Sequence, residues 1–137
     1  MASKPRRPPS VLAMILCERI IVEEGTRKPS LIGIFSEVNA RGFPAAFTGM
    51  AVYVALSEGQ GQYDGMLRVE FAETGQELLR AEAPVIMKDP LTVTEIHMQF
   101  PPVPLPQPGL YRLDFLCDGE LLKTRDFRAH DMSKGDG

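Results

Sequence analysis

The strongest constraint on the fold lies near the end of the chain, in residues 108–129. The apolar residues in its first half occupy every second position: Tyr111, Leu113, Phe115 and Cys117. On a strand, side chains with this spacing share one face. Asp118-Gly119 follows at once, and Asp-Gly between extended segments is a strong hairpin signal because a type I′ turn needs positive φ at both central residues. The segment therefore predicts a closing β-hairpin that completes an antiparallel sandwich.

Similar alternation recurs along the rest of the chain. The predicted strands before the hairpin cover residues 11–23, 31–39, 48–56, 66–72, 79–85 and 92–100. Turn residues separate them at roughly 8–12-residue spacing, which is typical of sandwiches, and no βαβ alternation or internal repeat is present. The predicted fold class is all-β: an antiparallel immunoglobulin-like (Greek-key) β-sandwich of seven or eight strands.

Two segments also admit a helix. Residues 11–23 are rich in β-branched side chains, which favours a strand, and a helix there would end in Glu23-Glu24, the wrong charge for a helix C-terminus. Residues 66–85 favour a hairpin, although Thr74 with Glu77 could cap a short helix instead. We predict strands in both places.

Two irregularities are expected within the strands. The alternation in the first strand slips after Glu18-Arg19, which predicts a bulge or a break near residues 17–19. Gly33 within the second strand indicates a bulge or a close approach of another group to the backbone.

The length of 137 residues fits one domain with a real hydrophobic core. We expect residues 1–10 to be a disordered basic lead-in, residues 11–130 to form the sandwich, and residues 131–137 to be a disordered tail. The net charge of −3 and the absence of Trp disfavour nucleic acid as a partner. The apolar run of residues 11–17 is short for a signal peptide and far shorter than a membrane span.

The two cysteines, Cys17 and Cys117, form no metal-binding spacing. We expect two buried reduced thiols in a cytoplasmic protein, with a disulfide between their strands as the alternative.

Several strings together resemble one bacterial family of short β-sandwich proteins that is known only as a domain of unknown function. The most specific string is Ser30-Leu31-Ile32-Gly33-Ile34-Phe35, and the others are Ala13 to Cys17, Ile21 to Gly25, Val52-Tyr53-Val54, Pro108-Gly109-Leu110-Tyr111 and Asp118 to Leu122. The resemblance covers nearly all of the predicted domain. It implies a β-sandwich and a bacterial cytoplasmic setting, and it supplies no activity and no site residues.

The inventory of reactive side chains predicts no enzyme and no metal or cofactor site. Nucleophilic catalysis needs a nucleophile with a base in reach, and Cys117 with His97 is the only conceivable pair. The alternation places Cys117 inward and His97 outward, so we expect them not to meet. The loop carboxylates are candidates for a calcium cup, but turns commonly contain such residues: Glu58, Asp64, Asp89, Asp118 and Glu120.

With catalysis and metal binding disfavoured, the remaining candidate for a functional surface is the edge of a sheet, because an exposed edge strand can pair with another chain. The candidate interaction edge consists of Leu31, Ile32, Ile34 and Phe35. The predicted function is therefore a non-catalytic module that binds protein, either itself as a homo-oligomer or another subunit, and binds neither nucleic acid nor membrane. The alternative is a small-ligand binder that uses the loops at residues 41–47 and 57–63 together at one end of the sandwich.

Overall fold

The computed structural model describes residues 7–133, and the regular elements in that part of the chain are all β-strands. The strands are β1 Ser10–Val22, β2 Pro29–Ile34, β3 Glu37–Ala40, β4 Ala45–Phe47, β5 Ala51–Ser57, β6 Gly61–Tyr63, β7 Gly65–Phe71, β8 Gln76–Glu82, β9 Val85–Met87, β10 Thr94–Gln99, β11 Val103–Leu105, β12 Gly109–Cys117 and β13 Glu120–Asp131. The predicted all-β fold is confirmed. The strand count exceeds the expected seven or eight chiefly because four three-residue strands form two small sheets, β4 with β11 and β6 with β9.

Two larger sheets enclose the core. The first sheet has the order β10-β5-β1-β2, and the second has the order β3-β13-β12-β7-β8. Neighbouring strands are antiparallel, except that β3 runs parallel to β13. The chain crosses between the sheets from β5 to β7, from β8 to β10 and from β10 to β12, which is the Greek-key pattern of an immunoglobulin-like sandwich.

The closing hairpin has the predicted form. β12 pairs with β13 along its whole length, and its four alternating apolar residues all point into the core. Asp118 and Gly119 both have positive φ, 51° and 82°, as a type I′ turn requires.

An aromatic cluster lies where this hairpin meets the rest of the core. The ring of Tyr111 stacks on Phe127 with centroids 5.4 Å apart, and lies 5.0 Å from Phe71. The Tyr111 hydroxyl donates to the Gln107 carbonyl, and the Gln107 amide donates to that hydroxyl at 3.3 Å. A tyrosine near the start of this strand that bonds back to the preceding backbone is the tyrosine corner of immunoglobulin-like domains. It fixes the path by which the chain enters β12.

The prediction of one strand over residues 31–39 is wrong, because the chain changes sheet within it. β2 ends at Ile34 and β3 begins at Glu37 in the other sheet. Phe35 causes the change: its ring packs edge-on against Phe47 at 5.8 Å and Phe127 at 6.5 Å, between the sheets.

Gly33 marks a close approach, as its position predicted. Its φ is 70°, and the carboxylate of Glu18 occupies the space that a side chain would need: a Cβ at Gly33 would lie 2.2 Å from Glu18 Oε1. Any larger residue here would have to displace Glu18 and adopt a strained backbone.

β1 is a strand, as predicted, but the break expected near residues 17–19 is wrong. The register with β2 continues without a shift from Cys17 to Val22. The polar pair Glu18-Arg19 lies instead where β5 stops pairing with β1, so that side chains on both faces reach solvent. The observed irregularity comes earlier, next to Leu12, which is 57% exposed.

The ends of the chain were predicted to be disordered, and most of these residues lie outside the described range. Within it, Pro9 is buried, Ser10 begins β1, and Asp131 ends β13.

Removing the tyrosine-corner hydroxyl should destabilise the fold. Tyr111→Phe keeps the stacked ring but leaves the Gln107 backbone groups without this partner, so we expect the free energy of unfolding to fall by about 1–2 kcal/mol. Urea unfolding monitored by circular dichroism measures the change. Tyr53→Phe, which removes a hydroxyl that bonds to the exposed carboxylate of Glu95 on the outer surface of the first sheet, is the control and should cost less than about 1 kcal/mol. Equal losses in the two variants would contradict this role of Tyr111.

Candidate functional site

The predicted interaction edge is the outermost strand of the first sheet. β2 pairs with β1 on one side, and no described strand pairs with its other side. Ile34 is 61% exposed, Ile32 is 36% exposed, and Leu31 is half-buried. Phe35 was included in the predicted edge, but it packs against the core rings and contributes to stability instead.

The exposed apolar surface is larger than the predicted edge. Beyond Cys17, β1 no longer pairs with β5, so residues 19–22 and β2 continue as a two-stranded hairpin. Ile21 and Val22 on this hairpin are also exposed. We call residues 19–34 the aliphatic hairpin. Sequence reasoning missed Ile21 and Val22 because it assigned this part of β1 to the sandwich, although three consecutive apolar residues after a polar pair indicate a segment that is apolar on both faces.

β2 differs from the other sheet edges in charge. β10 carries Glu95 and His97, β3 begins with Glu37, and β8 carries three charged side chains. Such charges on edge strands oppose pairing with another chain. β2 reads Pro-Ser-Leu-Ile-Gly-Ile and carries no charge. Of the four edges of the two main sheets, it is therefore the one without this protection.

On the outer face of the first sheet, β1 carries one charged side chain, Arg19 beside Ile32, and its other residues there are small or apolar. Small side chains line it in cross-strand rows: Ala13 beside Ala55, and Cys17 beside Ala51. Between these rows Ile15 lies beside Tyr53. Small side chains make this face flat, which suits contact with another sheet or chain.

The outer face of the second sheet is built differently. Asp114 is only 2% exposed and accepts hydrogen bonds from Arg68 Nη2 at 2.8 Å and from Thr124 Oγ1 at 2.9 Å. Arg112 Nε lies 3.3 Å from the Asp126 carboxylate on the next strand. These charges neutralise one another within the sheet, so this face satisfies its own polar groups.

The reactive side chains considered in the sequence do not come together. Cys117 is buried on the inner face of the second sheet, whereas His97 is exposed on the outer face of the first. Cys17 is buried as well, and burial raises the pKa of its thiol. Both cysteines are thiols, so the disulfide alternative is wrong.

Among the loop carboxylates, Asp64 and Asp118 do lie together. The Asp64 amide donates to Asp118 Oδ1 at 2.8 Å, and the Asp118 amide donates to the Asp64 carbonyl at 2.9 Å. They border an open depression of about 390 Å³ whose other walls include Arg68 and Arg80. Within residues 7–133, no group of three or more His, Cys, Asp or Glu side chains is arranged to hold a metal ion.

The two loops proposed for a ligand pocket lie at opposite ends of the sandwich. The loop at residues 41–47 is held at the end of β13, where the Gly42 amide donates to Asp131 Oδ1 at 3.3 Å. The loop at residues 57–63 leads into Gly65, which pairs with Cys117 at the far end of the second sheet. The two loops therefore cannot line one pocket.

Comparison with known proteins gives a family without an assigned activity. The family model that matches residues 12–130 describes a family of unknown function, DUF6941, which confirms the resemblance inferred from the sequence. A similar solved structure is an immunoglobulin-like protein from Pseudomonas aeruginosa, which is 13% identical; the alignment covers 93% of this chain and 100% of that chain, with a TM-score of 0.45. Among curated proteins, no match is found. In residues 7–133, no helix has the length and hydropathy needed to cross a bilayer.

The buried ion pair of the second sheet should contribute far more to stability than the exposed one. Asp114→Ala leaves Arg68 and Thr124 without their acceptor in a buried position, and we expect a loss of about 3 kcal/mol in the free energy of unfolding. Asp126→Ala is the matched control, because its carboxylate also pairs with an arginine but is 47% exposed, and it should cost less than about 1 kcal/mol. Urea unfolding of both variants gives the comparison. Similar losses in the two variants would show that the buried pair has no special role.

Tyr53 should ionise at a higher pH than an ordinary tyrosine. Burial, together with the hydrogen bond to Glu95 and the negative charge of Glu95, raises the pKa of its phenol to about 12. Because the folded chain favours the neutral phenol, this group stabilises the fold below pH 10, the ordinary pKa, and that stabilisation is lost as the pH rises through 12.

An absorbance titration of the phenolate in a Tyr111→Phe background measures this pKa, since the pKa of Tyr111 is also raised by burial. Glu95→Gln should lower the pKa of Tyr53, whereas Glu82→Gln, on the edge of the second sheet, should leave it unchanged. An unaltered Tyr53 titration in Glu95→Gln would show that the carboxylate does not act on the phenol.

Proposed function

We propose that this chain, which belongs to the family of unknown function DUF6941, is a non-catalytic protein-interaction module. Its contact surface is the aliphatic hairpin together with the adjoining outer face of the first sheet. The partner is a protein, either a second copy of the chain or another subunit, rather than nucleic acid or membrane.

The observation that supports this proposal most directly is the uncharged edge strand with exposed aliphatic side chains. Ile21, Val22, Ile32 and Ile34 each leave between 36% and 61% of their surface in water. Burying such a side chain fully is worth about 1.5–3 kcal/mol, so covering the exposed part of each contributes on the order of 1 kcal/mol. Ile21, Ile32 and Ile34 lie on one face of the hairpin and Val22 on the other, and exposed apolar side chains grouped in this way on a soluble domain commonly mark an interaction site.

An edge strand adds a second source of affinity. The backbone amides and carbonyls on the open side of β2 can pair with an extended strand of another chain, as in β-strand addition. Backbone pairing gives affinity, and the alternating side chains Leu31, Ile32 and Ile34 give the specificity. The sheet therefore offers both an apolar contact and a hydrogen-bonding template at the same place.

The non-catalytic part of the proposal is supported by where the reactive groups lie. A nucleophile and a base must be within hydrogen-bond reach, and the sandwich interior separates Cys117 from His97. The buried carboxylate Asp114 is neutralised by Arg68 in a cross-strand pair, which is a structural arrangement.

For the cellular setting we propose the cytoplasm. Two buried thiols that form no disulfide are typical of proteins in reducing compartments. The net charge of −3 supports a protein partner over an anionic nucleic acid or membrane surface.

The small-ligand alternative is weaker, because its two loops do not meet. A ligand function would have to use the depression beside Asp64 and Asp118 instead. Thermal-shift screening against metabolites and metal ions separates the two functions, since a bound ligand raises the melting temperature by mass action.

Placing a charge on the exposed edge should abolish association without unfolding the domain. Ile34→Lys introduces a charge that would have to be desolvated in the interface, so we expect the complex to be lost. Ile86→Lys is the matched control, because Ile86 is also a strand isoleucine and is 65% exposed, but it lies on β9. Sedimentation velocity of the full chain and affinity co-purification from its source cells measure the assembly, and circular dichroism checks the fold.

The proposal requires wild type and Ile86→Lys to form the same complex and Ile34→Lys to remain alone. A wild-type chain that sediments as a monomer and co-purifies with no stable partner would contradict it. So would an Ile34→Lys variant that assembles as the wild type does.

A further inference from the structure

We propose that the open depression of about 390 Å³ on the outer face of the second sheet binds a small zwitterion. The carboxylate of this ligand contacts Arg68 and Arg80, and its ammonium group contacts Asp64 and Asp118. Its chemical class is an ω-amino acid, in which a short aliphatic chain separates the two charges. The site lies on the opposite sheet from the aliphatic hairpin, so the inference adds a binding site to the proposed function and does not depend on it.

The depression has its positive and negative charges at opposite ends. Its side chains form three levels: the cations Arg68 and Arg80, the apolar pair Met66 and Leu116, and the carboxylates Asp64 and Asp118. The first two levels are cross-strand partners, Arg68 with Arg80 and Met66 with Leu116. Successive levels are two residues apart along β7 and the residue before it, which places them on one face of the sheet.

The two arginines favour an anion between them. Arg68 on β7 and Arg80 on β8 are direct cross-strand partners, and like charges in this arrangement repel each other. Their own carboxylates lie elsewhere: Arg68 donates through Nε and Nη2 to Asp114 on β12, on the side away from β8, and Arg80 donates through the same two nitrogens to Glu77 on its own strand. A ligand carboxylate that contacts both guanidinium groups would reduce the repulsion.

Both arginines keep donors for such a contact. A guanidinium has more N–H groups than these bonds use, and among the contacts within residues 7–133 neither Nη1 takes part. The buried carboxylate of Asp114 also fixes Arg68, whose side chain is 24% exposed. A donor that is already ordered loses little conformational freedom when a ligand binds.

The opposite end of the depression selects a ligand with a positive charge. The backbone amide of Asp64 donates to Asp118 Oδ1 and that of Asp118 donates to the Asp64 carbonyl, which holds the two residues side by side. A simple anion would gain at the arginines and be repelled by this pair, whereas an ammonium group turns the repulsion into attraction. Met66 and Leu116 between the two ends offer an apolar floor to an aliphatic chain.

The spacing of the levels sets the length of the ligand. Four residues of strand separate Asp64 from Arg68, so their Cα atoms are about 13 Å apart. Side chains stand roughly perpendicular to a sheet, so their ends are separated by a similar distance. A hydrogen bond of about 3 Å at each end leaves about 7 Å for the ligand, which is the span of 5-aminopentanoate.

The first test compares ligands on the wild-type chain by isothermal titration calorimetry. The probe is 5-aminopentanoate, and pentanoate and pentylamine are its matched controls because each lacks one of the two charges. So small a ligand makes few contacts, so concentrations up to about 10 mM should be covered. We expect 5-aminopentanoate to bind and each control to bind about tenfold more weakly, since a charge-assisted hydrogen bond is lost at one end.

The second test removes the protein charges. Arg80→Gln and Asp64→Asn should each weaken the binding of 5-aminopentanoate about tenfold. Arg112→Gln and Asp126→Asn are the matched controls, because these two exposed residues pair with each other on the same face but do not line the depression. Both controls should bind as wild type does, and circular dichroism checks that all four variants fold.

The outcomes decide the inference independently of the proposed function. Binding that requires both charges of the ligand, together with Arg80 and Asp64, supports the zwitterion site. It is overturned if 5-aminopentanoate does not bind wild type, if pentanoate or pentylamine binds equally well, or if the control variants lose as much affinity as Arg80→Gln and Asp64→Asn. None of these results bears on whether Ile34→Lys abolishes association, so either claim can fail while the other stands.

Discussion

The sandwich depends on the burial of one aromatic cluster between its two sheets. Tyr111 stacks on Phe127, and Phe35 and Phe47 add edge-on contacts from the other side. Each of these rings comes from a different strand or crossover, so the cluster ties the ends of the chain to its beginning. The tyrosine-corner bond to Gln107 then fixes how the chain enters the closing hairpin. Much of the observed topology follows from burying these rings together while the Tyr111 hydroxyl keeps its hydrogen bond.

The same cluster explains why the exposed edge exists. Because Phe35 is drawn between the sheets, the chain leaves the first sheet directly after Ile34 and enters the second as β3. β2 is thereby left at the end of the first sheet with no later strand to cover it. Core packing and the open edge are consequences of one six-residue string, Ser30 to Phe35. Its aromatic end stabilises the fold, and its aliphatic part remains available for a partner.

The period-two pattern was enough to predict most of the longer strands, the hairpin turn and the fold class, because buried faces and turn residues are local properties of the sequence. It could not show that residues 31–39 divide between two sheets, since Phe35 continues the apolar pattern and its destination depends on Phe47 and Phe127. The extent of the aliphatic hairpin was also hidden. Ile21 and Val22 became exposed only because β5 stops pairing at Cys17, and strand order is a long-range property. For the same reason, the two candidate ligand loops were wrongly placed at one end.

The central claim, that β2 is the contact edge, can be tested at the backbone itself by hydrogen exchange at two protein concentrations. If β2 pairs with a second copy, the amides of residues 30–34 that face away from β1 become protected as the concentration rises, while those of β3, β8 and β10, the other sheet edges, keep constant exchange rates. The account predicts protection confined to β2 and the adjoining part of the aliphatic hairpin. Exchange along β2 that stays constant at high concentration and also in the complex with any co-purifying protein, or protection that appears at β3, β8 or β10 instead, would contradict it.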